Sequence, residues 1–214
     1  RNRYFMMRHG EAIYNKKNLT DTSGASENHL TEKGIAEAQA SLERFVKKHR
    51  GSAPDIIIAS PFLRTRETAE LVAGFFDMSA SRIIFEPALK EMEIGVFDSK
   101  NPREYHGYFS SFEEKFVKRP PGAEENLNNL RARVIASLRK LEETYADKTI
   151  FIVSHEYPLW MLETALLGYD ISQTIAAKNK KGKDYIKTGE IRELSGAKLP
   201  LDENGFLDVH KPYI

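Results

Sequence analysis

Three short runs of apolar residues constrain this sequence most: "YFMM" from Tyr4, "PDIIIASP" from Pro54 and "TIFIVSH" from Thr149. None alternates with polar residues, so each has two faces to bury, and each ends at turn-forming or charged residues. Strands of that kind belong in the middle of a mainly parallel sheet covered by helices on both sides. Helical patterns lie between the runs. "TEKGIAEAQASLERFVKKH" offers Thr31 as N-cap and closes with Lys and His, which suit the negative end of the helix dipole. "FLRTRETAELVAGFF" follows the second run directly, and "NLNNLRARVIASLRKLEETYA" leads into the third. The expected fold is α/β, a three-layer sandwich with a mostly parallel central sheet.

In open sheets of this class, ligands bind beyond the carboxyl ends of the strands. All three runs end in polar clusters: Arg8, His9, Gly10 and Glu11; then Ser60, Pro61 and Arg64; then Ser154, His155 and Glu156. If the strands are parallel neighbours, two histidines and two arginines share one small volume. Their charges repel unless an anion lies between them. The stretch from Phe97 to Gly122 is aromatic and charged, and Pro102, Gly107, Pro120 and Pro121 break it. It reads as an excursion over the sheet edge that forms a lid, and its aromatic rings fit an apolar or flat part of a substrate.

Composition narrows the chemistry. A chain of 214 residues reads as one domain with elaborations. With 32 Lys and Arg against 31 Asp and Glu there is no global field to attract a polyanion, so anion binding must be local. The absence of cysteine excludes disulfides, thiolate metal sites and a cysteine nucleophile, and it fits a reducing compartment. No apolar run approaches the roughly 18 residues of a membrane span, and no targeting pattern opens the chain, so a cytoplasmic protein is expected. The first residue is arginine, which reads as a processed or excised piece.

"RHGEAIYN", "LTEKGIAEAQA", "SPFLRTRETA", "LKEMEIGVF" and "VSHE" occur in the order and approximate spacing of the histidine phosphatase, or phosphoglycerate-mutase-like, superfamily. The resemblance runs from Tyr4 to about Gly168. It implies a nucleophilic His9, phosphate clamping by Arg8, Arg64 and His155 with Asn15 nearby, and general acid/base work by Glu91. Ser60, at the second strand end, joins the expected substrate-binding set. The implied reaction is hydrolysis of a small phosphomonoester through a phosphohistidine, with phosphoglycerate mutase as the alternative, and it implies no cofactor and no metal. The chemistry is reasonable on its own terms. A neutral imidazole is a competent nucleophile toward phosphorus, and arginine forks match the oxygens of a phosphoryl group.

Several positions depart from the family pattern. Glu156, followed by Pro158, stands where glycine is common, and Glu124 and Glu125 in "PPGAEEN" are only approximate counterparts of a Gly-Glu-Ser stretch. Glu11 is either a motif residue or a solvated rim carboxylate. Glu93 and Asp98 read as surface charges, and His29, His49 and His106 as peripheral. The domain is expected to span 1–177, with 178–214 as an extension containing a basic loop, "AKNKKGKDY". The tail "IRELSGAKLPLDENGFLDVHKPYI", with Asp208 to Ile214 at its end, resembles a segment of isoleucyl-tRNA synthetases. That resemblance implies a domain inserted in, or excised from, a synthetase, with tRNA or synthetase domains as partners and His210 as an interface residue. A third reading follows, a non-catalytic accessory module.

Overall fold

The computed structural model describes residues 2–50, 52–182 and 184–194. In chain order the elements are β1 (Arg3–Arg8), α1 (Ile13–Lys16), α2 (Glu32–Lys48), β2 (Ile56–Ala59), α3 (Leu63–Phe75) and β3 (Ile83–Phe85). There follow α4 (Pro102–Gly107), α5 (Glu114–Val117), α6 (Leu127–Thr144), β4 (Thr149–Ser154), α7 (Glu156–Leu166), α8 (Ile171–Lys181) and β5 (Ile191–Leu194). The sheet order is β3-β2-β4-β1-β5. All neighbours run parallel except β5, which lies antiparallel to β1. The three apolar runs are thus the three central strands. Among the described residues no helix is long and apolar enough to cross a membrane.

Alternate residues of the central strands supply two cores. Tyr4, Met6, Ile58, Ile150 and Ile152 share one core with Leu130, Val134 and Leu138 of α6 and Leu159, Trp160 and Leu162 of α7. Phe5, Met7, Ile57, Ala59, Phe151 and Val153 share the other with Ala38, Leu42 and Phe45 of α2 and Ala69, Val72 and Ala73 of α3. This is why the runs show no polar alternation: both faces are covered. The helix starts follow local chemistry. The Thr31 side chain accepts from Gly34 N at 3.0 Å, while Asn126 and Asn129 cap α6 reciprocally.

Two expectations along the chain need correction. The boundary expected between residues 177 and 178 falls inside α8, and β5 beyond it pairs with β1 from Tyr4↔Leu194 to Met7↔Ile191. The basic stretch expected to be a loop begins as the last turn of that helix, with Lys178, Lys180 and Lys181 near its negative dipole end. The rest of the tail, including His210 and Asp208 to Ile214, lies outside the described residues.

Phe151 is fully buried in β4 and meets Phe5 and Phe45 with ring centroids 5.9 and 5.4 Å away. Phe151→Ala is expected to lower the free energy of unfolding by about 3–5 kcal/mol. Urea denaturation monitored by circular dichroism checks this; a loss below about 1 kcal/mol would mean that the aromatic layer is not tightly packed.

Candidate active site

Strand register decides which side chains meet. Arg8 pairs with Ser154 across β1 and β4, and Ala59 with Val153 across β2 and β4. The ladder continues past the strand ends, since His9 N donates to Ser154 O at 3.0 Å and Ser60 N to Val153 O at 3.0 Å. His9, Ser60 and His155 therefore leave the sheet at one level. The two imidazole rings meet edge to face with their centroids 5.2 Å apart.

His9 Nδ1 lies 2.8 Å from Gly10 O, and its Nε2 receives the Nε–H of Arg64 at 3.2 Å. That pairing assigns the proton to Nδ1 and the lone pair to Nε2. Burial holds the His9 pKa well below its ordinary value, helped by the charges of Arg64 and Arg8 and opposed by the Gly10 carbonyl. The ring is neutral at neutral pH. Gly10 is required for a close approach, since a Cβ there would collide with the carbonyl of Gly34 in α2.

Arg64 and Arg8 bring two positive charges to the same floor. Arg64 is held by Asp21: Nη1 donates to the carboxylate at 2.5 Å and Nη2 to the Asp21 carbonyl at 2.8 Å. Asp21 also accepts from Gly24 N, Ala25 N and the Asn28 side chain. Sequence reasoning missed Asp21, because it lies in a polar loop away from any strand end. Arg8 donates to Ile186 O at 2.8 Å and lies 3.3 Å from the Glu156 carboxylate. Burial raises the Glu156 pKa, but Arg8 and Lys178 more than offset that and leave it below its usual range. The buried Arg8 Nε and His155 Nδ1 have no hydrogen-bond partner among the described residues.

Ser60 sits apart from the other expected ligands. It is fully buried and its hydroxyl lies 2.8 Å from His155 Nε2, so it orients that ring and does not face the cavity. His155 is also fully buried, lies behind His9 and not among the residues lining the cavity, and is kept neutral by burial with the charge of Arg64. Asn15 lines the cavity but spends Oδ1 on the amide of Ala12 at 2.9 Å. Glu91 lines the cavity as well, and burial raises its carboxyl to about 7. Its backbone is fixed by Arg133, which donates to Glu91 O at 3.1 Å and grips Glu125 with two bonds of 2.8 Å. Glu125 in turn accepts from Glu93 N.

Glu11 is a rim carboxylate paired with Lys33 at 2.6 Å. Asp98 accepts from Thr22 N at 2.7 Å, bracing the loop that carries Asp21. His29 pairs with Glu67 at the surface and His49 stacks on Phe45, both away from the pocket. His106, expected to be peripheral, lines the cavity instead. That cavity encloses about 620 Å³ above His9.

Two neutral imidazoles, two guanidiniums and a carboxyl raised to about 7 by burial thus share one floor, a set of groups suited to phosphoryl transfer. The comparisons give the same class. The sequence pattern of the histidine phosphatase superfamily (branch 1) matches residues 4–183, and the chain belongs to that superfamily. It is a phosphohydrolase or phosphotransferase that uses a histidine. Among curated relatives, the probable phosphoglycerate mutase GpmB of Yersinia pestis is 30% identical over 173 residues, covering 77% of this chain and 74% of that protein. The protein of the same name from Photorhabdus laumondii is 28% identical over 168 residues, with the same coverage. The fold is that of the alpha-ribazole phosphatase of Shigella flexneri (TM-score 0.72, 22% identity, 95% of this chain and 92% of that one). It is also that of a mycobacterial glucosyl-3-phosphoglycerate phosphatase (TM-score 0.71, 20% identity, 89% and 91%). None of these relatives is a synthetase, and they lend no support to that reading of the tail.

Asp21→Ala leaves the Arg64 guanidinium buried without its carboxylate and is expected to destabilise the fold by about 3–5 kcal/mol. Saturating inorganic phosphate should recover part of the loss, because an anion on the same floor replaces the missing charge. Urea unfolding with and without phosphate measures both effects, and an equal loss in both conditions would show that the anion does not reach Arg64.

Proposed function

We propose that the protein hydrolyses a phosphomonoester through a phosphohistidine on Nε2 of His9. The observation that carries this is the tautomer: Nδ1 is bound to the Gly10 carbonyl and the lone pair is on Nε2, where it accepts the Nε–H of Arg64, a donor that an incoming phosphoryl oxygen would take over. In the first step that lone pair forms the N–P bond as the ester P–O bond breaks, and Glu91 gives its proton to the leaving oxygen. In the second, the Glu91 carboxylate takes a proton from water, whose oxygen attacks phosphorus as the N–P bond breaks. Arg8, Arg64 and His155 hold the equatorial oxygens, with Asn15 at the rim. The raised pKa of Glu91 supports both of its roles near neutral pH.

Phosphoglycerate mutase uses the same pocket, and the names of the curated relatives favour it. The two differ in whether water reaches the phosphohistidine. Labelled 2- and 3-phosphoglycerate discriminate, since isomerisation without phosphate release would replace hydrolysis with mutase activity. The accessory-module reading loses part of its basis, because Lys178 is buried along the cavity wall beside Glu156 and does not lie on the open surface that a tRNA would meet. A cytoplasmic location remains part of the proposal, on the absence of cysteine.

His9→Ala should lower kcat/KM toward an aryl phosphate by at least about a thousandfold and abolish acid-labile, base-stable phosphate on the protein. Retention of normal turnover would refute the mechanism. Glu91 supplies a pH test with a definite sign. Its acid form exists below about 7, so kcat/KM for an alkyl phosphate should fall as pH rises through that value. A 4-nitrophenyl ester, whose leaving group needs no proton, should stay flat over the same range, and Glu91→Gln should remove the difference. Parallel profiles for the two substrates would exclude Glu91 as the acid.

A further inference from the structure

The cavity extends from the phosphate floor to a second group of polar side chains that the proposed chemistry does not use. Lys178 lines it, with its ammonium 5.3 Å from the centre of the Tyr157 ring and 5.4 Å from that of Trp160. Tyr157 lines it too, and its buried hydroxyl has no hydrogen-bond partner among the described residues. His106 completes the group from α4. Its Nδ1 lies 2.5 Å from the ammonium nitrogen of Lys115.

Lys115 is the anomaly. It is 3% exposed, it pairs with no carboxylate among the described residues, and its only described polar partner is His106. The rings of Phe112, Tyr105 and Phe109 surround it with centroids at 4.4, 4.9 and 5.5 Å. Cation–π attraction offsets part of the cost of burying an ammonium but does not replace a counter-ion. With Lys115 donating to Nδ1, the ring proton of His106 sits on Nε2, which makes that nitrogen a donor backed by a positive charge. Burial and the charge of Lys178 pull Lys115 down to about 7, and burial and Lys115 pull His106 down to about 4. A negative group beside them would relieve both.

We infer that Lys178, His106 with Lys115 behind it, and the Tyr157 hydroxyl form a second anion subsite, and that the preferred substrate is a phosphomonoester whose alcohol portion carries its own anionic group. This rests on the phosphatase reading of the inner pocket. Lys178, His106 and Tyr157 line the same cavity as Glu91, and Tyr105, Met92 and Ile94 give that cavity apolar or aromatic wall. The second anion is a carboxylate or a further phosphate. Both accept from an ammonium, an imidazole N–H and a phenol; the carboxylates nearby are Glu156, shared between Lys178 and Arg8, and Asp184, 3.9 Å from Arg8, and neither pairs with Lys115.

The test compares matched aryl phosphates that differ in carrying a carboxylate, its neutral carboxamide, or a second phosphate. Each is also prepared as a non-hydrolysable phosphonate for calorimetry. A charge-assisted contact of this kind predicts a preference of about tenfold or more in kcat/KM for an anionic probe over the carboxamide. Which anionic probe leads identifies the group. In Lys115→Met and in His106→Phe the ratio should collapse toward unity, and Tyr157→Phe should reduce it. Turnover without any preference in the native chain, or a preference that survives both Lys115→Met and His106→Phe, overturns the subsite. Phosphonates that bind with the predicted preference while none of the esters turns over would keep the subsite and remove the hydrolase reading. Failure of every phosphonate to bind would remove both.

Discussion

The site depends on two guanidiniums kept out of water on either side of β4, Arg8 at the end of β1 and Arg64 in the first turn of α3, just after β2. Arg64 is 4% exposed and Arg8 9%, and such burial is tolerable only with compensating charge and hydrogen bonds. Asp21 supplies both to Arg64, and Glu156 with the Ile186 carbonyl supplies them to Arg8. Burial, reinforced by the same positive pair, keeps His9 and His155 neutral, which leaves a nitrogen lone pair where an imidazolium would have none. The charge open to an anion on this floor is therefore also part of what keeps a lone pair on His9.

A second layer turns this floor into a directed site. Arg133 bonds the backbone on both sides of the turn carrying Glu91, at Ala88 O and Glu91 O, and is itself pinned by Glu125. The turn cannot drift without breaking a bidentate pair, so the Glu91 carboxyl stays at the cavity wall. There burial raises its pKa, and the nearby arginines pull in the opposite direction, leaving it near 7. The excursion over the sheet edge adds the outer wall through Asn101, Pro102, Arg103, Tyr105 and His106.

What could be read from the sequence and what could not divide along physical lines. The three central strands were legible because burial on two faces removes polar residues from the run, and their ends marked Arg8, His9, Arg64 and His155 because parallel strands share a carboxyl edge. β3 and β5 were not. Ile83–Phe85 is a short, partly exposed edge strand, and "IREL" is a polar edge strand whose pairing with β1 is decided by tertiary contact. Ser60 was placed by its position at a strand end, yet a serine's short side chain reaches only its neighbour, here His155. Asp21, Arg133 and Lys115 carry no local pattern at all. Their roles arise from partners 43, 42 and 9 residues away in sequence, and a single sequence does not announce such pairings.

Glu156 shows how one substitution against the family pattern can be absorbed. A carboxylate in the first turn of α7 is favoured by the helix dipole, and three groups meet it: Arg8 at 3.3 Å, Lys178 at 2.5 Å and the Tyr185 amide at 2.8 Å. Through these contacts α7 is tied to α8 and to the turn that leads into β5. Residues 178–182 and 184–194 are consequently part of the pocket's architecture, because without them Lys178 and the Ile186 carbonyl would be gone and both Arg8 and Glu156 left short of partners. A glycine at 156 would release all three groups together and return Arg8 to a more solvated, less directed state. The carboxylate thus moderates the positive floor while anchoring the elements that close it, and any anion that drew Arg8 away would leave Glu156 with two other bonds, to Lys178 and the Tyr185 amide.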